Sequence, residues 1–518
     1  MSSVTAGPAG AGRKNLVLTA MIFAVAMTFI DQTIVSIAAP KIQSELGLSS
    51  TGMQWAVNSY LLTMAALFAY GGRLADTVGH RKMVTIGVVV FAGASALCGL
   101  TPKGSVAETW IVAFRALQGV GGALMYPAAL AIVVNTYELR ERGRALALFF
   151  GIAGGLTAVG PVLGGYLSAW TWRAIFWVNI PIALIALVLI VLSKPVTQHR
   201  PAPMDYRGLV LIAGGVALSV FGFQQSNVWG WSNPGIGLCI GAGLLLLVVF
   251  YRYEKTVASP LMNVSIFGNR AFVVQNVILG IAMMVFVPMF FFASEYAAVS
   301  LNQKASQAGE SLLYFFLGFV VAAQIGGRML DRVGAKRPVV IGCAVAAVGF
   351  YLWAGRLTTL DFGKELWMIV IAGAGMGLMM GPANTDAVNR ASSLSYGEAT
   401  GITQTVRNYG SSLSLAILGT VMVTETRSHL VSSLTAQGLS HAEAVKAADA
   451  NSGTGSGGST EGIPHFVRLD FAQATQTVFY IMAGVMAVAC VVALFGLRRG
   501  LQEQQEPQES DDPAVTAA

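Results

Sequence analysis

Two opposite charges inside long apolar segments are the side chains best placed for chemistry. Asp31 lies within the apolar segment 16–39 and Arg115 within the segment 108–135, and Asp31 is the only carboxylate well inside such a segment. A charge in this setting costs about 3 kcal/mol or more when lipid surrounds it, so its presence indicates a role. At ~1.5 Å of rise per residue both side chains lie roughly 10–14 Å below the same edge, so they can form a pair.

Two interpretations of this pair stay open. Burial and the nearby guanidinium act on Asp31 in opposite directions, and their balance can leave the carboxyl able to exchange a proton near neutral pH. In the first interpretation Asp31 and Arg115 take part in proton coupling and substrate binding. In the second they form a permanent ion pair that only holds two helices together.

Three further charges are secondary candidates for the same chemistry. Glu295 follows the segment 271–294 and is a second acid that could titrate. The alternative for Glu295 is an interfacial side chain whose carboxylate reaches water. Asp386 and Arg407 lie near the opposite face and could form an inner-half counterpart of the first pair, either in function or as a purely structural pair.

Residue types and positions exclude several other kinds of site. No phosphate-binding GxxxxGK[ST] loop occurs, which argues against ATP-driven pumping by this chain. The five histidines all lie in polar connections, so a proton carrier inside an apolar segment must be a carboxylate. The four cysteines lie singly in apolar segments and predict neither a disulfide nor a metal site. With no nucleophile–base set, we expect a protein that is not an enzyme, with no metal and no cofactor other than a proton as coupling ion.

Helices that cross a membrane must position these candidates. The chain has 518 residues, of which 55% are hydrophobic and 11% charged, and its mean hydropathy is +0.65. A soluble chain would carry about a quarter charged residues. Segments apolar and long enough to span a bilayer are predicted at fourteen places: 16–39, 53–71, 83–101, 108–135, 145–168, 173–193, 208–225, 235–251, 271–294, 310–327, 338–356, 366–388, 399–424 and 471–497.

The placement of basic residues predicts the orientation. With the N-terminus inside, the cytoplasmic connections hold 21 Lys and Arg residues and the outer connections hold 9. Positive residues favour the cytoplasmic side, so both termini are predicted to be cytoplasmic in a multi-pass protein of the cell (plasma) membrane. The same placement accounts for the net charge of +7, which therefore does not indicate a nucleic-acid partner. The terms predicted inner side and predicted outer side refer to this orientation.

One loop segment occurs twice. Residues 71–82 recur as 326–337, at an offset of 255 residues and with six identical positions. Both copies lie on the predicted inner side, and repeated halves with a site between them are the usual construction of secondary transporters. The glycines permit a tight connection and the acids can cap a helix or pair with Arg, which favours gating over a topological anchor. The gating-loop candidates are Gly72, Arg73, Asp76, Gly79, Arg81, Arg328, Asp331 and Gly334.

The fifth span is dense in glycine. Glycine permits close helix contact, and a proline inside a helix removes one backbone hydrogen bond and bends the helix. A flexible, tightly packed helix between two halves suits a protein that rocks without leaking protons; ordinary membrane-helix packing is the alternative. The candidate residues are Gly151, Gly155, Gly160, Pro161, Gly164 and Gly165.

The repeated segment resembles the signature loop of the major facilitator superfamily, Gly-x-Leu-Ala-Asp-x-x-Gly followed by basic residues. Segments 31–40 and 115–123 and the glycine-rich fifth span are similar to those of drug:proton antiporters in that superfamily. Further segments resemble its fourteen-helix branch, at 170–181, 205–208, 267–272 and 404–410. The resemblance covers the chain from about 16 to 497.

The resemblance implies an all-α membrane protein of the major facilitator fold, with two six-helix bundles related by a pseudo-two-fold axis and two extra central helices, fourteen transmembrane helices in all. The expected domains are a cytoplasmic segment 1–15, an N-terminal bundle 16–193, a linker 194–270 with the extra helices, a C-terminal bundle 271–497 and a disordered cytoplasmic tail 498–518. The outer loop 426–470 is rich in Gly and Ser, contains nothing to build a core, and is expected to be mobile.

The resemblance also implies a function. We expect a monomeric secondary transporter, surrounded by membrane lipids, that exports drug-like amphipathic or cationic small molecules in exchange for protons. One alternative is a dedicated exporter of one endogenous metabolite, peptide or lipid, because pocket shape rather than fold sets the cargo. A second is a membrane sensor without transport. A nutrient symporter would have to account for the antiporter-type fifth span.

Overall fold

The computed structural model of the chain describes residues 11–137, 139–195, 203–390, 396–452, 463–498 and 500. Throughout these residues the regular structure is helical. The apolar segments explain this, because a backbone surrounded by lipid has no water to bind and must satisfy its polar groups within each helix.

The helices form three groups along the chain. The first group comprises α1 (Ala11–Leu46), α2 (Ser50–Val78), α3 (His80–Gly99), α4 (Ala107–Thr136), α5 (Leu139–Trp170), α6 (Ala174–Trp177) and α7 (Asn179–Ser193). The second group is an extra pair, α8 (Tyr206–Trp229) and α9 (Pro234–Glu254). The third group comprises α10 (Arg270–Val299), α11 (Ala305–Val333), α12 (Lys336–Leu357), α13 (Leu366–Asn389), α14 (Tyr396–Ala436), α15 (His441–Ser452) and α16 (His465–Gly496), with 3-10 turns at Val264–Gly268 and Phe362–Lys364.

Local chemistry sets several helix boundaries. The Ser49 hydroxyl accepts a hydrogen bond from the Gly52 amide at 2.9 Å and so caps the start of α2. Asp205 caps the start of α8 in the same way. Gly79 ends α2 with a φ of 107°, and Gly334 ends α11 with a φ of 77°. These backbone angles favour glycine, in agreement with the turn chemistry predicted for the repeated segment.

The packing of the first group recurs in the third. In the first group α2 and α3 pack against α4, and α1 packs against α5 and α7. In the third group α11 and α12 pack against α13, and α10 packs against α14 and α16. The two groups are therefore two halves of similar construction, with α1 equivalent to α10 and α5 equivalent to α14.

The two halves meet along two equivalent seams. One seam joins α2 to α14, the other joins α5 to α11, and α1 meets α10 between them. Helix α8 packs against both α2 and α14 and covers the first seam, while α9 packs on α8. Leu238 and Leu245 of α9 are 72% and 62% exposed, as expected for side chains that face lipid.

Eleven of the helices in the described residues are long and apolar enough to cross a membrane, α6 and α7 counting together as one span. Helices α2, α5 and α14 do not meet that criterion. All three lie at the seams, where α2 and α14 bury polar side chains such as Asn58 and Ser412. A helix enclosed by other helices does not need an apolar surface all round, which explains their lower hydropathy.

The structure differs from the sequence-based expectation at two places. Helix α1 begins at Ala11 and continues to Leu46, beyond the expected span 16–39. In the outer loop 426–470, α14 continues to Ala436 and α15 follows, and Leu430, Ala444 and Ala448 are buried. The expectation that this loop contains nothing to build a core was wrong for these residues, because an amphipathic helix can bury a small apolar face. Residues 453–462 and the tail 501–518 lie outside the described residues.

Candidate functional site at the α1–α4 charge cluster

Asp31 of α1 and Arg115 of α4 are in direct contact inside the first half. Their side chains are 0% and 1% exposed, and Arg115 Nη1 donates a hydrogen bond to Asp31 Oδ2 at 2.5 Å. The contact agrees with the equal depth predicted from the sequence. A pair so fully removed from water needs further hydrogen bonds to offset the loss of hydration.

Gln118 supplies those bonds. It lies one helical turn after Arg115 on α4, so both side chains point to the same face. Gln118 Nε2 donates to Asp31 Oδ1 at 2.9 Å, and Gln118 Oε1 accepts from Arg115 Nη1 at 2.8 Å. Both carboxylate oxygens of Asp31 therefore have a donor, and the three side chains form a closed triad.

Helix α2 holds the guanidinium from the other side. Arg115 Nε donates to the Ala56 carbonyl at 3.0 Å, and its guanidinium carbon lies 4.6 Å from the centre of the Tyr60 ring. A cation over an aromatic face is attracted by the ring quadrupole, more strongly where water is excluded. The Tyr60 hydroxyl in turn donates to the Thr28 carbonyl of α1 at 3.3 Å, which ties α2 to the helix that carries Asp31.

A second layer of polar residues extends the cluster to α3 and α7. Gln118 Nε2 lies 3.4 Å from Ser95 Oγ, and Asn179 Nδ2 donates to the same oxygen at 2.9 Å. Ser95 Oγ donates to the Phe176 carbonyl at 2.8 Å. The sequence analysis did not identify Tyr60, Ser95 or Asn179 as partners, although Gln118 and Asn179 lie in the segments that carry the family resemblance.

Helix α1 links this cluster to the second half. Thr33, two residues after Asp31 on α1, donates to the Thr157 carbonyl of α5 at 3.0 Å. The Ile37 carbonyl accepts a hydrogen bond from Ser294 Oγ of α10 at 3.0 Å. A change in the charge of Asp31 would therefore act on a helix that bonds to both halves.

Glu295 follows Ser294 on α10 and is 6% exposed. Its Oε1 is buried and accepts no hydrogen bond from the residues that the structure describes. The alternative in which this carboxylate reaches water at the membrane surface does not fit that burial. A buried polar atom without a hydrogen-bond donor is costly, so Glu295 remains a candidate for proton binding.

The candidate residues of α5 divide between two neighbours. Gly160 lies against Ile30 and Thr33, and Gly164 against Ile34 and Ile37, so these two glycines allow α5 to approach α1. Gly165 lies against Ala305 and Ser306, and the Pro161 carbonyl lies against Gly309, so this end of α5 contacts α11. Gly155 faces open space, and the surroundings of Gly151 lie outside the described side chains.

The predicted inner pair of Asp386 and Arg407 was wrong. Asp386 Oδ2 accepts from Arg390 Nε at 2.8 Å and from Gln275 Nε2 at 2.5 Å. Arg407 donates to Gln404 at 2.6 Å instead. Arg390 lies one turn after Asp386 on the same helix, and this local spacing prevails over the longer reach to α14.

The gating-loop candidates lie at the ends of α2 and α11. Asp76 Oδ1 lies 3.0 Å from His80 Nε2, so Asp76 pairs with this histidine rather than with an Arg. Gly72 lies beside Pro127 of α4. Arg73 is half-buried, and its Nε donates no hydrogen bond to any of the described residues. Arg328 and Asp331 are exposed, and Arg81 is half-buried.

Comparison with known proteins places these features in a family. The sequence model of the Major Facilitator Superfamily matches residues 21–415. The tetracenomycin C resistance and export protein of Streptomyces glaucescens is 31% identical over 525 residues, covering 98% of this chain and 96% of that protein. The multidrug transporter protein MdtP of Bacillus subtilis is 31% identical over 79% of this chain and 75% of its own length. The puromycin resistance protein pur8 of Streptomyces alboniger is 31% identical over 80% and 82%.

Solved structures show the same fold. A bacterial homologue of the human lysosomal transporter Spinster, in an inward-facing and unoccupied conformation, superposes with a TM-score of 0.61 at 16% identity, covering 94% of this chain and 98% of that one. The xylose transporter XylE from E. coli, in a partially occluded inward-open conformation, superposes with a TM-score of 0.57 at 12% identity, covering 92% and 98%.

Proposed function

The chain belongs to the Major Facilitator Superfamily, and from this premise we propose that it is an efflux transporter that exchanges drug-like molecules for protons. It is a transporter with an all-helical major facilitator fold and not an enzyme. The proposed cargo is a small amphipathic or cationic molecule that enters from the predicted inner side or from the membrane lipids.

The names of the relatives support export. They describe a resistance and export protein for tetracenomycin C, a resistance protein for puromycin, an export protein for cephamycin and a multidrug transporter. All four are matched over more than two thirds of both chains. We therefore propose the same direction of transport for this chain, in a monomer with fourteen membrane spans and both termini in the cytoplasm.

The observation that carries the proton coupling is the enclosed triad of Asp31, Arg115 and Gln118. In this arrangement each Asp31 oxygen accepts from a side chain of α4, so the ionised carboxylate holds α1 and α4 together. Protonation would remove the charge that Arg115 binds and weaken that connection. Because α1 also bonds to α5 and α10, we propose that the proton on Asp31 and the bound cargo favour different arrangements of the two halves.

Glu295 is the second acid in this proposal. Its position beside the Ser294–Ile37 contact lets a proton there stabilise the arrangement in which α10 and α1 meet. Gly165 and the Pro161 backbone contribute the close contact of α5 with the second half. The loop residues around Asp76 and Asp331 are proposed to act at the predicted inner side. Asp386 and Arg407 have no joint role in this proposal, because Asp386 contacts Arg390 and Gln275 of α10, whereas Arg407 contacts Gln404.

A dedicated exporter of one compound is the second candidate. One relative, matched over 98% of this chain, carries the name of a single antibiotic, tetracenomycin C. A narrow exporter would protect cells against few or none of a panel of unrelated compounds. A multidrug exporter would protect against several.

Efflux from whole cells tests the proposal. Cells that express the protein are loaded with cationic dyes, and dye efflux is followed before and after a protonophore removes the proton gradient. We expect efflux to stop when the gradient is lost and to be absent in the Asp31→Asn variant. Asp361→Asn, a change at an exposed carboxylate of the predicted outer side, is the control. Efflux that continues without a gradient would overturn the antiport proposal.

A further inference from the structure

The extra helix pair contains a second enclosed acidic site, far from the α1–α4 cluster in sequence. Asp205 precedes α8 and is 8% exposed, and Glu254 ends α9 and is 3% exposed. Both lie on the predicted inner side, where the two helices of the pair are not joined by their own hairpin. The two carboxyl groups are within hydrogen-bond distance of each other.

One oxygen of each carboxyl is satisfied by donors. Asp205 Oδ1 accepts from the Gly208 amide at 2.9 Å and from the Tyr253 hydroxyl at 3.2 Å. Glu254 Oε2 accepts from the Met262 amide at 3.2 Å. These bonds fix both carboxyl groups, so neither can turn away from the other without giving up a backbone partner.

The other two oxygens face each other without a donor. Asp205 Oδ2 and Glu254 Oε1 are both buried and accept no hydrogen bond from the described residues. Both also lie against Gly208, at the place where a side chain would otherwise be. Neither carboxylate forms an ion pair with a residue that the structure describes. Arg207 is nearby but exposed, and it acts on the Tyr253 hydroxyl. Two enclosed carboxylates in contact cannot both keep their charge.

We propose that Asp205 and Glu254 bind one proton between Oδ2 and Oε1, and that this shared proton makes the extra helix pair sensitive to pH on the inner side. A metal ion fits less well, because Ca²⁺ requires about six to eight oxygen ligands and only two are unoccupied here. What the two facing oxygens lack is one hydrogen-bond donor. A proton on either oxygen supplies that donor and needs no other ligand.

The consequence reaches both halves through α8. Gln224 of α8 accepts from Asn58 Nδ2 of α2 at 2.6 Å, and Asn58 Oδ1 accepts from Ser412 Oγ of α14 at 2.5 Å. All three side chains are 0% exposed. Loss of the shared proton would place two negative charges next to each other at the N-terminal end of α8. Their repulsion would weaken the contacts of α8 with α2 and α14.

Two amide substitutions test the site in the full-length protein. Asp205→Asn keeps an oxygen for the cap of α8, because Asn caps helices as well as Asp, and its amide donates to Glu254. Glu254→Gln supplies a donor from the other side. In each variant a permanent donor replaces the proton. Glu443→Gln, at an exposed carboxylate of α15, is the control.

The first readout is thermal stability as a function of pH. A group that holds its proton in the folded protein contributes stability that is present at low pH. That stability is lost as the pH rises and the shared proton dissociates. One linked proton changes the unfolding equilibrium constant about tenfold per pH unit in that window, above about pH 4. We expect both amide variants to lose this part of the wild-type slope and Glu443→Gln to keep it.

The second readout is the infrared band of a protonated carboxylic acid. We expect a carboxylic-acid C=O band in the wild type that disappears as the pH rises and is missing in Glu254→Gln and in Asp205→Asn. The proposal is overturned if both variants keep the wild-type pH slope and band. It is also overturned if Ca²⁺ or Na⁺ at constant pH stabilises the wild type but not Glu254→Gln. Neither readout depends on transport, so failure here leaves the proposed efflux function untouched.

Discussion

Gly309→Ala, which adds a single methyl group, should separate α5 from α11 where the two helices meet. Gly309 lies where α11 crosses α5, and a Cβ built there meets the Pro161 carbonyl and lies 3.3 Å from the Cα of Gly165. These neighbours are backbone atoms, so no side chain can rotate away to make room. The closed contact must therefore separate, or the helices must shift along one another.

The size of the effect follows from that contact. Adding a methyl group to a filled interface costs about 1–3 kcal/mol. If the opposite arrangement, with the outer ends apart, does not contain this contact, the whole cost falls on the closed arrangement. Gly309→Ala should then shift the equilibrium toward the arrangement that is open on the predicted outer side by about 5- to 150-fold.

Distances between spin labels measure the shift. Cysteines replace Lys103 and Lys364, which are exposed on the predicted outer side of the first and second half. The partly exposed native residues Cys239 and Cys490 are replaced by serine. Double electron–electron resonance should show a longer distance populated in Gly309→Ala than in the wild type.

Gly155→Ala is the matched control, because a Cβ at Gly155 of α5 meets nothing within 4 Å. The same chemical change there should leave the distance distribution as in the wild type. If Gly309→Ala and Gly155→Ala give the same distribution, the close contact between α5 and α11 does not control the outer opening, and the reasoning from glycine packing is refuted.

Three further predictions concern the buried polar groups. Asp31→Asn leaves the Arg115 guanidinium buried without its carboxylate and should destabilise the protein by about 3–5 kcal/mol. Thermal unfolding should show that adding Arg115→Gln restores at least part of the lost stability, and a double variant less stable than either single variant would argue against the pair. Burial raises the pKa of Glu365, at the N-cap of α13, to about 7, so its contribution to stability is lost as the pH rises through 7. Glu365→Gln should reduce the fall of the melting temperature with pH in this range, and an unchanged pH dependence would contradict this. Asn58→Ala leaves Gln224 without its donor and should cost about 1–3 kcal/mol, measured by chemical unfolding, with no loss expected if the α8 bridge is unimportant.

The sequence predicted the parts of the site that depend on depth and composition. The sequence predicts that Asp31 and Arg115 form a pair because their distances from the same membrane edge agree. In the structure Arg115 Nη1 lies 2.5 Å from Asp31 Oδ2. The glycine turns at Gly79 and Gly334 were predicted from residue type, since a positive φ is a local property. Their roles in transport remain predictions.

Other parts of the site depend on which helices become neighbours. The contact of Gln118 with Asp31 requires the rotation of α4, and the contact of Asn179 with Ser95 requires the packing of α7 on α3. Periodicity does not determine either of these. The expected partner of Asp386 was wrong for the opposite reason, because Arg390 on the same helix was nearer than Arg407.

The measurement that tests the central claim most directly is proton flux in proteoliposomes. A pH gradient is imposed, cationic dyes and antibiotics are added one at a time, and internal pH is followed for the wild type and Asp31→Asn, each shown to be folded by its melting temperature. We predict that at least one compound dissipates the gradient through the wild type and that none does so through Asp31→Asn. Equal dissipation by both proteins would show that Asp31 only holds α1 to α4 and would contradict the proposed role in proton exchange.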